Sequence, residues 1–288
     1  METASKPREN GRILLRCLMI GVVYAAASAL TAAILGPMSR LTPTLGNILV
    51  WTFTGTLIAL CLAPFVLRSA WSRRDTVLAI WALLACVRSL GLGVEGALFK
   101  PTSPQGAIIG AGFGVLVALL VAWLTVLFLM PDGAKQTGPG PARNWWGWTW
   151  RVLLVGLAYF VFYFVFGATN ALLYTKAFYE NNPQYGLTLP ATSIIFAAQL
   201  IRGPLFGLGS LFIVRSVSIP RRQLAFWLGL LLFVVGGVAP YVEVTFRTMP
   251  LGFNLATLTE ILFQNVLTGT VAAYLFGAKP VAKAAQAG

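Results

Sequence analysis

Histidine is absent from this 288-residue sequence. That removes the commonest metal ligand and the commonest general base. Histidine-ligated haem and a Ser-His-Asp triad are excluded with it. Acid is scarce too, with 8 Asp+Glu against 21 Lys+Arg. The two aspartates, Asp75 and Asp132, stand at loop edges. Metal chemistry built on clustered aspartates therefore lacks its ligands. Cys17, Cys61 and Cys86 lie singly in apolar runs with no CxxC spacing. They form neither a disulfide framework nor a zinc site, and read as small buried hydrophobes. There is no Walker A sequence and no HExxH. Gly91-Leu92-Gly93 follows no strand, so it marks no dinucleotide fold. No cofactor is expected.

Charge is the other shortage. Only 10% of residues are charged and 58% are apolar, whereas soluble domains carry about 25% charged residues. Uncharged runs of helix length point to an integral membrane protein. A net charge of +13 ordinarily raises nucleic acid as a partner. Here the basic residues sit in short loops between apolar runs, the topology signal of a membrane protein. The expected partner is the lipid bilayer, and not nucleic acid.

What is present is an all-α plan. Eight transmembrane helices are expected at about 13–36, 47–67, 75–98, 106–130, 150–173, 191–214, 223–246 and 252–277. Residues 1–12 form a polar tail. The first apolar run resembles a signal-peptide core, but it is long for one and matches a later segment, so it reads as a span. Residues 174–190 are expected to be a loop.

The plan is written twice. A shift of 148 positions places Arg73 on Arg221, Arg74 on Arg222, Glu95 on Glu243 and Gly55 on Gly203. A shift of 135 places Arg16 on Arg151, Gly21 on Gly156 and Tyr24 on Tyr159. The expected domains are a four-helix repeat over 1–131, a cytoplasmic linker over 132–149, and a second four-helix repeat over 150–288 with a tail from 278. Four spans return the chain to the same side, so these two repeats (4+4) would be parallel, related by an axis along the membrane normal.

Of the 21 Lys and Arg, Arg88 and Arg202 lie inside spans, and Arg40, Lys100, Lys176 and Arg247 lie in connections on one face. The remaining fifteen fall on the other face. The positive-inside rule then makes both termini cytoplasmic in a plasma (inner) membrane. The tryptophan-rich NWWGWTW at 144–150 reads as an interfacial aromatic belt.

Polar groups at bilayer depth are the candidates for function. A charge there costs about 2.5–3.5 kcal/mol. Arg202 lies roughly 16 Å from its span's outer end, Arg88 roughly 15 Å and Glu260 roughly 12 Å, at 1.5 Å per residue. Gln199 shares a face with Arg202, and Gln264 and Asn265 follow Glu260. Arg202 and Glu260 can meet across neighbouring spans. Glu95 and Glu243 form a symmetric pair near the outer ends of their spans, within reach of Lys100 or Arg247. The candidate binding residues are thus Arg202, Glu260, Gln199, Gln264, Asn265, Arg88, Glu243 and Glu95. Most of this polarity falls in the second half.

Three readings stand at this point. One is a permease-like protein with an outward-facing polar cavity for a small anionic or lipid-like ligand. Another is a non-catalytic subunit contacting membrane-protein partners through 174–190 and the tryptophan cluster. The last is an intramembrane lipid-modifying enzyme with Glu260 as base, for which no nucleophile–base pair can be assembled.

Overall fold

The computed structural model describes residues 6–36, 42–99, 104–132, 144–182, 190–244, 246 and 249–277. Most of the expected linker (133–143), the tail after 277, and Arg40, Lys100 and Arg247 lie outside the described residues. The described chain is helical throughout. The helices are α1 (Lys6–Leu35), α2 (Leu45–Val66), α3 (Arg73–Leu83), α4 (Gly91–Phe99), α5 (Pro104–Leu129), α6 (Trp145–Asn170), α7 (Lys176–Asn181), α8 (Thr192–Arg215), α9 (Arg221–Phe233), α10 (Ala239–Val244) and α11 (Leu251–Phe276). Among the described residues the only strand-like feature is an isolated antiparallel bridge between Ser69 and Val217.

The eleven helices make eight rods, because three junctions are π-helical turns rather than breaks. Leu84–Leu90 joins α3 to α4, Ala171–Thr175 joins α6 to α7, and Val234–Val238 joins α9 to α10. Seven described rods are long and apolar enough to cross a membrane. The eighth, α11, is equally long at 26 residues. Its apolarity is diluted by Asn254, Glu260, Gln264 and Asn265. The molecule is therefore an all-helical protein fit for several membrane passages. Large hydrophobics such as Leu15, Phe53, Leu153 and Phe226 are exposed on the rods' outer faces. Lipid, not water, is the solvent such faces suit.

One expectation about a boundary needs correction. Residues 174–181 are helix, not loop, and the rod beginning at Trp145 runs to Asn181, 37 residues in all. No proline or glycine interrupts the chain between Gly167 and Pro183, so nothing stops propagation. Caps set the other starts. Asn144 Oδ1 accepts from Gly147 N (2.8 Å), and Ser72 Oγ accepts from Asp75 N (3.1 Å). Helix α6 consequently starts inside the expected linker.

Close packing rests on small residues, as it must where lipid removes the hydrophobic drive between helices. A methyl group at Gly203 would collide with the Gly156 backbone, and one at Gly156 with Pro204 and Gly203. Gly21 sits likewise against Thr52 and Thr56 of α2. Replacing Gly203 with leucine is expected to lower unfolding stability by about 1–3 kcal/mol through overpacking, read as a loss of midpoint in detergent-solubilised protein. At the basic ends of the rods, Ala70 N donates to Ser216 O (2.7 Å). Arg215 lies over Trp148 at 4.9 Å and Trp71 at 5.9 Å. These contacts tie the α2–α3 and α8–α9 connections to the start of α6.

Candidate functional site

Two arginine–glutamate pairs lie among the rods, and each joins residues far apart in sequence. Arg88 occupies the π-helical turn after α3. Its Nη2 lies 2.6 Å from Glu243 Oε2, which α10 supplies. That carboxylate is well served. Tyr24 Oη of α1 donates to Oε1 at 2.9 Å, and Thr54 Oγ1 of α2 donates to the same oxygen at 2.7 Å. Arg88 Nη2 also donates to Tyr24 Oη, and the guanidinium lies 5.6 Å from the tyrosine ring centroid. The side chains are 14% and 8% exposed, so four rods close around this network. Charge at depth survives only when so compensated.

The second pair is open by comparison. Arg202 Nη1 of α8 lies 2.7 Å from Glu95 Oε1 of α4. Arg202 is 5% exposed, but Glu95 is 35% exposed. Arg202 Nη1 also approaches Gln199 Oε1 at 3.4 Å, one helical turn away on α8. The guanidinium lies 5.6 Å from the Tyr159 ring and 6.0 Å from Phe206. The Tyr159 hydroxyl oxygen accepts a hydrogen bond from the Gln264 side chain of α11. Two donors at this pair have no partner among the described residues: Arg202 Nε and Gln199 Nε2, both buried. Buried donors rarely stay unpaired.

Glu260 is a third centre. Its Oε2 accepts from Asn170 Nδ2 of α6 at 2.6 Å. Its Oε1 faces Gly167, where a Cβ would come within 3.0 Å. It has no ion pair among the described residues. Tyr163, one turn before Gly167, lies within electrostatic reach of both Glu95 and Glu260. Replacing Asn170 with alanine removes the one hydrogen bond seen at Glu260. The expected cost is about 0.6–2 kcal/mol, the range for interhelical polar contacts in membranes, measurable by unfolding in detergent.

Six of the eight residues singled out in the sequence are thus distributed over three neighbourhoods. Arg202, Gln199 and Glu95 come together, Arg88 and Glu243 come together, and Glu260 stands with Asn170. The sequence reading allowed an Arg202–Glu260 pair. Both α4 and α11 pack against α8, and Arg202 takes Glu95 of α4 while Glu260 of α11 takes Asn170 of α6. Gln264 supports Tyr159, while Asn265 is buried beside Gly237 with Oδ1 unpartnered. Tyr24, Thr54, Tyr159 and Asn170 were missed. The two tyrosines did coincide in the 135-residue shift, but a tyrosine in an apolar run looks like ordinary core.

No match is found against family models, curated proteins or solved structures.

Proposed function

We propose that this chain is a permease-like protein of the inner membrane, with both termini cytoplasmic and a ligand-accepting polar interior where Arg202 and Gln199 of α8 meet Glu95 of α4. The observation that carries this reading is the asymmetry of the two ion pairs. Arg88–Glu243 is enclosed, its carboxylate takes three donors, and Arg88 Nη1 is the one donor there without a partner among the described residues, as suits a lock between helices. Arg202–Glu95 keeps two unused donors and a partly exposed carboxylate, as a binding site needs to. A carboxylate or phosphate group suits Arg202 Nε and Gln199 Nε2. Glu260 would balance or gate the bound charge.

The same reading includes two parallel four-helix repeats. Several facts support it. The bridged residues Ser69 and Val217 differ by 148 positions, as do Leu90 and Val238, where the π-helical turns of the third and seventh rods end. Each repeated glutamate takes an arginine from the opposite half. Reporter tags at the two ends are expected on the same, cytoplasmic face; tags on opposite faces would end the topology.

The functional test is a thermal-shift screen of purified protein against small carboxylates and phosphate monoesters, followed by uptake into proteoliposomes. At about 100 times its dissociation constant a ligand adds about 2.7 kcal/mol of stability. The shift is expected to fall to about 0.4–1.4 kcal/mol in Arg202→Lys and to weaken in Gln199→Ala. A shift left unchanged by both substitutions defeats the proposal.

One observation favours a second reading, a subunit of a larger complex. The α6–α7 rod, at 37 residues, extends about 55 Å against a hydrocarbon core of about 30 Å. Leu172 and Leu173 near its far end are 83% and 80% exposed. Stoichiometric co-purification of another membrane protein, lost in Leu172→Ser/Leu173→Ser, would support that reading.

A further inference from the structure

A groove lies on the outside of the bundle, away from both ion pairs. It has a volume of about 370 Å³ and runs between α3 and α5. Arg73 and Arg74 line it together with Leu78, Trp123, Val126 and Leu127. Both arginines open α3, and both are exposed. Leu78, Trp123 and Leu127 are exposed as well, at 44%, 51% and 45%. Polarity is therefore sorted along the groove, with two guanidinium groups on the first turn of α3 and an apolar trough beside them.

We propose that this groove is a binding site for an anionic phospholipid. The match is one of charge and of polarity sorting. A phosphodiester headgroup meets two guanidinium groups, whose planar forks suit phosphate oxygens. Asp75 in the same turn already faces the positive end of the helix dipole, so the charge match rests on the two guanidinium groups. The acyl chain lies along Leu78, Trp123, Val126 and Leu127. A zwitterionic lipid fills the trough equally well but adds a positive group beside two positive side chains. Basic pockets between helices at a membrane surface select anionic headgroups on this ground.

Arg73 has one competing contact, an ion pair with Asp132 Oδ1. It is weak competition. Asp132 is 99% exposed and Arg73 48% exposed, and pairs this solvated contribute little. Arg74 forms no ion pair among the described residues. The matching basic pair further along differs, since Arg221 Nη2 is already committed to Gly277 O at 2.8 Å. That makes Arg221 and Arg222 a control for basic charge without this groove.

The test is native mass spectrometry of the full-length protein in detergent, titrated with phosphatidylglycerol or with phosphatidylcholine of identical chains. One phosphatidylglycerol is expected to be retained at least fivefold more tightly than phosphatidylcholine. The double variant Arg73→Gln/Arg74→Gln is expected to erase that preference, and Arg221→Gln/Arg222→Gln to preserve it. Leu78→Trp fills the trough and is expected to weaken both lipids. Millimolar inorganic phosphate is expected not to displace the lipid, because phosphate alone cannot use the trough. Equal binding of the two lipids overturns the proposal. So does an unchanged preference in the Arg73/Arg74 variant, equal loss in the Arg221/Arg222 variant, or a second protein chain retained in the groove instead of lipid. Both arginines are exposed, so their replacement leaves the packed interior intact.

Discussion

Replacing Glu243 with alanine is expected to destabilise the protein by about 3–5 kcal/mol, the cost of leaving one member of a buried ion pair uncompensated. The reason lies in what remains. Arg88 keeps its charge at 14% exposure and loses its carboxylate. Tyr24 and Thr54 lose their shared acceptor at the same time. The double variant Arg88→Met/Glu243→Leu is expected to recover most of the loss, since an apolar pair of similar volume needs no desolvation. Tyr24→Phe removes one hydrogen bond and is expected to cost about 0.6–1.7 kcal/mol. The measurement is reversible unfolding in mixed micelles across the four-member double-mutant cycle. A single-variant loss below about 1 kcal/mol would mean that solvent reaches the pair, and the lock would have to be abandoned.

Arg202→Lys should separate binding from stability. A lysine ammonium can still pair with Glu95, but it is a point charge without the Nε donor or the planar fork. Hydrogen bonds to charged groups are worth about 1.5–3 kcal/mol, so ligand affinity is expected to fall about 10- to 100-fold. Stability should fall much less than in Glu243→Ala, because Glu95 is already 35% exposed and solvation offsets part of the lost pairing. Titration of an identified ligand, run beside the unfolding measurement, checks both halves. Equal losses in affinity and stability would assign Arg202 to the scaffold. The α8 geometry adds a control. Gln199 Nε2 is buried and unpartnered, while Oε1 accepts only a long 3.4 Å contact from Arg202, so Gln199→Ala should weaken binding more than it lowers stability. Its stability cost is the lost Oε1 contact and the space left in a fully buried position, offset in part by removal of an unsatisfied donor.

The fold's outline was legible because it depends on local properties. Run length acts over a single stretch of chain, and α5 begins and ends, and α3 begins, within a few residues of the expected spans. The loop expected at 174–190 shows the limit of that reasoning. Polar and aromatic composition suggested a connector, yet nothing there breaks a helix before Pro183, and the rod continues through a π-helical turn to Asn181. Such turns were invisible in the sequence. Leu84–Leu90 has no proline, no glycine and no polar run to mark it.

By itself the sequence determined that this protein is helical, suited to a membrane, devoid of histidine chemistry, and burdened with a few ionisable groups at depth. It did so because burial of charge is costly wherever it occurs, and length and apolarity can be read along a single line. Only the tertiary structure decided the partners. Whether Arg202 meets Glu260 or Glu95 depends on which rods lie side by side and how each is rotated about its axis, and a run of apolar residues encodes neither. The same holds for Tyr24 and Thr54, which became ligands of Glu243 only when α1, α2 and α10 were brought together around Arg88.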